Sequence, residues 1–465
     1  MAIPFAVYAT IIAIVILLML YVKYSHSYWS KRGVPYLEPT SIFGNMENPF
    51  NLKVGHMFSF KRCYEELKKR KERFGGIYFF TEPIFMPIDP DLIKSILTKD
   101  FPHFHGRGFV HNEKHDPLAA HLLNLEGEKW KTMRIKVTPT FTSGKMKYMF
   151  QTLLDCGNPM IDHVSHLCEK EQNIDIKEIV ACYTTDIIGS CAFGLECNSF
   201  KDPNAEFRLY GRKEKAKAEG TEPLTIEEIA AQAFLFFVAG FETSSTTITF
   251  CLHELAFNQD IQDKLREEIR EVYQKHNGKL TYDGIMEMKY MDQVVNETLR
   301  KYPPLPILNR VCSIDYKIPD TNITLETLRK YPPLPILNRV CSIDYKIPDT
   351  NITLPKGTKV VISNLGIQTD EEYYPDPMTF SPERFSEENK ATRPNYTFLP
   401  FGEGPRVCIG LRFGMMQTKT ALAMLLNNFK LTPGDNENYN ICFDPKSFIL
   451  QKKGKVLLKA EELCA

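Results

Sequence analysis

Residues 401–410 (FGEGPRVCIG) carry the side chain best suited to chemistry, the thiol of Cys408. Three glycines and a proline in this stretch specify a fixed irregular backbone. The proline-free, periodically apolar stretch from Leu411 to Phe429 follows, so Cys408 lies just ahead of a predicted helix N-terminus, where amide groups favour a thiolate. Such a thiolate suits haem iron, and Arg406 could pair with a haem propionate. The alternative is a glycine-rich loop with an incidental buried cysteine.

A second stretch, residues 239–244 (AGFETS), places an acid beside a hydroxyl. The Thr243 hydroxyl can bond back to a carbonyl and open the helix locally, while Gly240 lets a flat ligand approach the backbone. Together with Glu242 they predict a polar notch that can hold oxygen, water and a proton path. The alternative is an ordinary buried helix whose Glu242 and Thr243 face solvent.

One long helix must position this acid and hydroxyl. Thr225 and Glu228 form a capping box, and no proline follows as far as Phe257. We therefore predict a single helix of about 50 Å. Its most apolar run, residues 234–238, is too short to span a membrane.

Both stretches resemble motifs of the cytochrome P450 family. Residues 401–410, including Phe401 and Gly410, match F-x-x-G-x-R-x-C-x-G at every specified position, and residues 239–244 match (A/G)-G-x-(D/E)-T-(T/S). The resemblance extends over the chain and is of the microsomal, membrane-anchored type that metabolises foreign compounds in insects. It implies a b-type haem with Cys408 as the axial thiolate. It also implies that Thr243 donates to dioxygen and that Glu242 relays protons.

Further matches concern structural and haem-contacting residues. Glu297 and Arg300 resemble the family's E-x-x-R motif, and Arg384 in residues 382–385 (PERF) would complete a buried charge network. Trp130 and Arg134 resemble the W-x-x-x-R pair of the helix that binds haem propionates, and Arg310 resembles another propionate contact.

Residues 297–325 recur without one change as residues 326–354, which indicates either a recent duplication or an error in the gene model. This duplication creates second candidates for the charge network, Glu326 and Arg329, and a second propionate arginine, Arg339. The first copy has a helical lead-in and should supply the network. The second copy leads into the strand-like residues 358–362, so we expect Arg339 rather than Arg310 near the haem, with about 25 residues looped out.

A second departure from the family pattern is the short interval between Gly194 and Ala239. The family normally places several helices there as a roof over the substrate pocket. Residues 199–223 are polar and charged with little apolar periodicity, so no set of roof helices fits. We therefore expect the distal side of the haem to lack its usual cover.

The N-terminus has the composition of a membrane anchor. Residues 1–22 lack charged side chains, and about 20 apolar residues span a hydrocarbon core. Lys23, Lys31 and Arg32 follow, which places the rest of the chain in the cytosol. Tyr21, Tyr24, Tyr28 and Trp29 would lie at interface depth. We predict an anchor (1–22), a basic, proline-containing hinge (23–40) and a haem-binding catalytic domain (41–465). A cleaved signal peptide and a buried core helix are the alternatives.

The amino-acid composition limits which classes of partner this chain can have. Fifty-seven basic residues balance fifty-seven acidic ones, which argues against nucleic acid as the main partner, and the 12 scattered cysteines indicate reduced thiols. No GxGxxG unit is present to bind a nucleotide. The resemblance implies electrons from NADPH–cytochrome P450 reductase, with cytochrome b5 as a second candidate. A basic surface could dock the donor or simply be solvated: Lys129, Lys131, Lys136, Lys145 and Lys147.

The predicted fold is mainly α with a small β portion. The predicted function is a haem-thiolate monooxygenase of the endoplasmic reticulum membrane. It would insert one oxygen atom from O2 into a small apolar organic substrate, either a foreign compound or an endogenous lipid or hormone-like molecule. The alternatives are a defective, non-catalytic haem-binding membrane protein and an isomerase or dehydratase that needs no external electrons.

Overall fold

The computed structural model describes residues 5–48, 55–108, 115–194, 225–311, 345–347, 350, 352–447 and 449–463. Within them the chain is mainly helical, as predicted. The helices are α1 (Phe5–Ser25), α2 (His56–Lys69), α3 (Pro90–Lys94), α4 (Gly127–Val137), α5 (Ser143–Glu169), α6 (Ile176–Phe193), α7 (Ile226–Phe257), α8 (Gln259–Lys275), α9 (Tyr282–Glu287), α10 (Lys289–Lys301), α11 (Asn364–Gln368), α12 (Glu387–Thr392) and α13 (Leu411–Asn428).

The β portion is small and divided among three sheets. The strands are β1 (Phe74–Phe79), β2 (Glu82–Pro87), β3 (Ile174–Asp175), β4 (Leu308–Val311), β5 (Tyr345–Lys346), β6 (Thr353–Leu354), β7 (Lys359–Ile362), β8 (Phe429–Pro433) and β9 (Leu457–Glu462). The orders are β1-β2-β7-β4, β3-β9-β8 and β5-β6. All pairs are antiparallel except β2 with β7.

Two large apolar cores hold these layers together. The larger core lies among α5, α6, the C-terminal half of α7, α8, α10 and α13. The second packs α2 against the four-stranded sheet and includes Tyr64, Met86 and Ile362. The loop that carries Cys408 joins them, because Phe398 contacts both cores and Phe401 packs on the larger one.

The N-terminal helix stands apart from both cores. Every side chain from Val7 to Tyr21 is exposed, and α1 with the turn after it is long and apolar enough to cross a membrane. Helix α7 passes the same test, but half of its apolar stretch is buried inside the protein. It is therefore the core helix that the sequence predicted, and its bounds and the Thr225–Glu228 capping box are confirmed.

The prediction that Trp29 lies at a membrane interface is wrong. Trp29 is fully buried, its indole Nε1 donates to the Ile77 carbonyl at 3.1 Å, and its ring fills the space that a side chain at Gly76 would need. Leu37 donates its amide to the Gly76 carbonyl at 3.0 Å. The predicted hinge is thus bound to β1 over part of its length, because this site buries the indole ring and also provides an acceptor for its N–H group.

Both copies of the duplicated segment contribute strands to the fold. Strand β4 comes from the first copy and pairs with β7 from Leu308 opposite Ile362 to Val311 opposite Lys359. Strands β5 and β6 come from the second copy. The segment of the first copy that leads to β4 is held beside α11 by two hydrogen bonds. The Leu365 amide donates to the Pro306 carbonyl, and the Asn364 side-chain amide donates to the Leu305 carbonyl. Arg310 therefore lies in β4, and the expectation that Arg339 rather than Arg310 lies near the haem stays a prediction. Arg339 lies outside the described residues.

Candidate active site

The loop around Cys408 is built by glycines in the left-handed backbone region. Gly402 and Gly404 have φ values of 70° and 74°. A Cβ atom at Gly404 would lie 2.0 Å from the Leu97 carbonyl oxygen, so glycine is required there by both conformation and space. The Cys408 amide donates to the Phe401 carbonyl at 2.9 Å and closes the loop. Gly410 then lies at the N-cap of α13, which begins at Leu411 as the sequence predicted.

The Cys408 side chain is accessible to solvent, yet desolvation by the surrounding protein atoms raises the pKa of its thiol. The Gly410 amide and the positive charges of Arg107 and Arg134 oppose this shift and favour the thiolate. An enclosed thiol with two arginines nearby fits a haem of the thiolate-ligated kind, whose propionates would pair with the two cations.

Arg107 is a candidate site residue that sequence reasoning missed. Its guanidinium donates to the Arg406 carbonyl at 2.8 Å. Burial lowers its pKa to about 10, and the charge of Cys408 acts in the opposite direction. The glycines on either side of Arg107 are a local signal of a special backbone, but only the fold brings this loop within reach of a cysteine some 300 residues later.

Arg406 and Trp130 lie together beneath the loop. The Arg406 guanidinium stacks 4.2 Å from the centre of the Trp130 ring. It also donates to three carbonyls, those of His105 at 3.0 Å, Leu122 at 3.3 Å and Leu125 at 2.7 Å. Arg406 therefore fastens α4 and the preceding loop to the cysteine loop. A propionate contact for Arg406 or Trp130 stays a prediction.

The acid–hydroxyl pair lies in the middle of α7. Thr243 Oγ1 donates to the Ala239 carbonyl at 2.7 Å, which is the back-bond that the sequence suggested. The predicted role of Gly240 is wrong. A Cβ atom there would lie 2.4 Å from Cδ1 of Ile188, so Gly240 serves the packing of α7 on α6.

Glu242 points to the C-terminal part of the chain. Its Oε1 accepts a hydrogen bond from Nε2 of Gln451 at 2.6 Å, and both side chains are half-buried. Sequence reasoning missed Gln451, because nothing in its local sequence connects it to α7.

The predicted charge network is present and uses the first copy of the duplicated segment. Arg300 Nε and Nη2 donate to Glu297 Oε2 and Oε1 at 2.7 and 2.8 Å, and Arg384 Nε lies 3.5 Å from Glu297 Oε1. Both Glu297 and Arg300 are fully buried. Arg300 also donates to the carbonyls of Gln368 and Pro377 at 2.8 Å. The pair thus ties α10 to the segment ahead of the cysteine loop. Glu326 and Arg329 lie outside the described residues.

The predicted basic surface is borne by α4 and the start of α5. Lys129, Lys131, Lys145 and Lys147 are exposed. Lys147 pairs with Asp283 at 2.8 Å, and Lys131 lies 3.8 Å from Glu128. These pairs leave both interpretations open, a docking surface or a solvated face.

Comparison with known proteins shows similarity along almost the whole chain. The family model described as cytochrome P450 matches residues 35–213, 207–325 and 322–459. Three Drosophila melanogaster proteins are similar. "Probable cytochrome P450 6a23" is 39% identical over 98% of this chain and 99% of its own length. "Cytochrome P450 6a8" is 35% identical over 99% and 100%, and "Cytochrome P450 6a2" is 36% identical over 97% and 99%.

These matches also locate the two departures. The family match consists of three segments, which overlap at residues 207–213 and 322–325. The first overlap lies within the short interval, and the second lies beside the junction of the two copies. The alignment with the first of these proteins covers 526 positions, more than the 465 residues of this chain, so that protein has segments this chain lacks.

Proposed function

This chain belongs to the cytochrome P450 family and is a haem monooxygenase, and on that basis we propose that it oxidises small apolar organic molecules with electrons from NADPH. The substrate would be a foreign compound or an endogenous lipid or hormone-like molecule. The observation that carries the proposal is the Cys408 loop, in which an enclosed thiol and two nearby arginines match the needs of a haem.

The residues that would hold the haem come from three regions. Cys408 would ligate the iron. Arg107 and Arg134 would bind propionates, with Trp130 and Arg406 supporting the same side, and the strand residue Arg310 or its duplicate Arg339 would add a further contact. When bound, the haem supplies the activation of O2, which a thiolate ligand favours by donating electron density.

Glu242 and Thr243 would move protons beside the haem. The Thr243 hydroxyl is held by the Ala239 carbonyl and so presents its oxygen in a fixed position. Glu242 lies one residue earlier and can exchange protons with water. We propose that Thr243 is the immediate proton donor in the reaction and that Glu242 resupplies Thr243 with protons.

The electron donor would be NADPH–cytochrome P450 reductase, with cytochrome b5 as a second donor. The exposed lysines of α4 and α5 would form the docking surface. The exposed apolar helix α1 supports a single-pass anchor in the endoplasmic reticulum membrane, with the domain after it in the cytosol.

A second candidate function is non-catalytic haem binding. The specific observation in its favour is the segments that similar proteins have and this chain lacks. Without the usual pocket roof, the protein would not hold a substrate in place, so electron delivery would not be coupled to substrate oxidation.

Reconstitution separates these functions. Purified protein is combined with reductase and phospholipid, and a panel of alkyl ethers of resorufin is supplied with NADPH under air. Dealkylated product that requires both NADPH and oxygen is the expected result. A thiolate-type carbon monoxide spectrum without product on any ether would favour the non-catalytic function.

A further inference from the structure

The carboxylate of Glu242 is held by a side chain from near the C-terminus. Gln451 donates its amide hydrogen to Glu242 Oε1 at 2.6 Å, although 209 positions separate the two residues. A hydrogen bond to an ionised acceptor is stronger than one between neutral groups, and partial burial reduces competition from water. This bond therefore restricts the rotamers that Glu242 can adopt.

The backbone around Gln451 is fixed without help from its side chain. The Asp444 amide donates to the Gln451 carbonyl at 2.9 Å across an antiparallel bridge, and the Leu450 amide donates to the Pro304 carbonyl at 3.1 Å. The same C-terminal segment is tied to α7 further along, where Tyr439 donates to Glu254 Oε2 at 3.0 Å. A change of the Gln451 side chain should therefore leave the segment in place.

Glu242 borders a partly open cavity of about 100 Å³ between α6, α7 and this segment, and most of its accessible lining is apolar. Thr246 and Thr249 line it one and two turns after Glu242 on the same helix face, and Lys177, Gln451 and Lys452 line the opposite wall. Because the cavity is partly open to solvent, water can reach the Glu242 carboxylate through it. Thr243 is the next residue along α7, turned by about 100° around the helix axis.

We propose that Gln451 is a positioning residue for the monooxygenase reaction. It holds the Glu242 carboxylate at the cavity, so that the carboxylate can take protons from water on the face of α7 that the C-terminal segment covers. This inference rests on the proposed role of Glu242 as a proton relay and adds the residue that sets its orientation.

The test is a double-mutant cycle of Gln451→Leu and Glu242→Gln in the reconstituted enzyme. Each single change should lower product formed per NADPH and raise hydrogen peroxide, and Gln451→Leu should do so by roughly five- to tenfold. Because Gln451 acts through Glu242, adding Gln451→Leu to Glu242→Gln should change neither quantity further. Gln451→Met, which fills a similar volume without a donor, repeats the measurement if the leucine variant does not bind haem.

A second readout does not depend on turnover. The infrared band of the Glu242 carboxylate, obtained as the difference between wild type and Glu242→Gln, should shift in Gln451→Leu. The matched control is Gln151→Leu, which removes an amide-to-carboxylate bond of 2.9 Å to Asp155 on the exposed surface of α5. It should change neither the band nor the coupling.

The outcomes are distinguishable. If Glu242→Gln leaves coupling unchanged, the proton relay itself is overturned and the role of Gln451 with it. If Glu242→Gln uncouples turnover but Gln451→Leu does not, or if their effects multiply in the double variant, only the role of Gln451 is overturned.

Discussion

At the residue scale, Cys408 illustrates how a side chain can be enclosed by protein and still accessible to a ligand. The loop closes through the Cys408 amide and the Phe401 carbonyl, so the backbone that carries the thiol cannot move away without breaking this bond. Arg107 and Arg134 add positive charge from two other segments.

We predict that Cys408→Ala abolishes the strongly red-shifted Soret band that thiolate-ligated haem gives when reduced with carbon monoxide. The reason is that the proposed iron ligand is removed. Cys442→Ala is the matched control, because Cys442 is also an exposed free thiol, and it should keep the band. Wild-type protein with a histidine-like spectrum would contradict the assignment.

Thr243→Ala should leave haem binding intact and divert electrons to peroxide, with product per NADPH reduced by at least about tenfold. Thr243→Ser retains the hydroxyl and should recover most of the coupling. Thr420→Ala is the control, because it removes a similar back-bond to the Met416 carbonyl of 2.8 Å in α13. Unchanged coupling in Thr243→Ala would overturn its proposed role.

At the element scale, the first copy of the duplicated segment holds α10 in place through a buried ion pair. Glu297 also accepts the Ser381 amide at 3.0 Å, so the network reaches the segment that leads to the cysteine loop. Breaking one partner of a buried pair leaves the other charge without compensation.

Arg300→Ala should therefore destabilise the protein by about 3–5 kcal/mol and prevent haem incorporation. Arg329→Ala, the same change in the second copy, should be tolerated. Haem content and thermal unfolding are to be measured for both variants. The reverse pattern would mean that the second copy supplies α10, and equal tolerance would mean that either copy can do so.

The boundary of the anchor can be tested by truncation. Removal of residues 1–25 takes away α1 and should leave a folded, haem-binding protein that no longer sediments with membranes. Removal of residues 1–32 also takes away Trp29 and should lower the free energy of unfolding by about 3–5 kcal/mol more. Equal thermal stability of the two truncated proteins would show that the burial of Trp29 is unimportant.

At the scale of the whole molecule, the sequence was most informative where the determinants are local. The glycines of the cysteine loop, the capping box of α7 and the i, i+3 spacing of Glu297 and Arg300 act within a few residues, and the structure has them as predicted. The role of Gly240 and the burial of Trp29 were mispredicted because their neighbours, Ile188 and Ile77, are about fifty residues away. Arg107 and Gln451 were missed for the same reason.

The topology predicts that added protease digests the domain after α1 in intact microsomes, since the basic residues that follow the anchor stay in the cytosol. The N-terminal fragment should resist extraction by alkaline carbonate. Protection of the domain, or its release by carbonate, would contradict a single-pass anchor with a cytosolic domain.

The 29 extra residues fall within positions 312–344. Strand β4 of the first copy precedes these positions and pairs with β7, and strand β5 of the second copy follows them and pairs with β6. Lengthening one connection from 4 to 33 residues costs only about 2 kcal/mol of closure entropy. Such a junction would tolerate foreign insertions, including an affinity tag or a reporter peptide. In descendants of this gene, Glu326 and Arg329 would then be free to diverge while Glu297 and Arg300 are retained by selection.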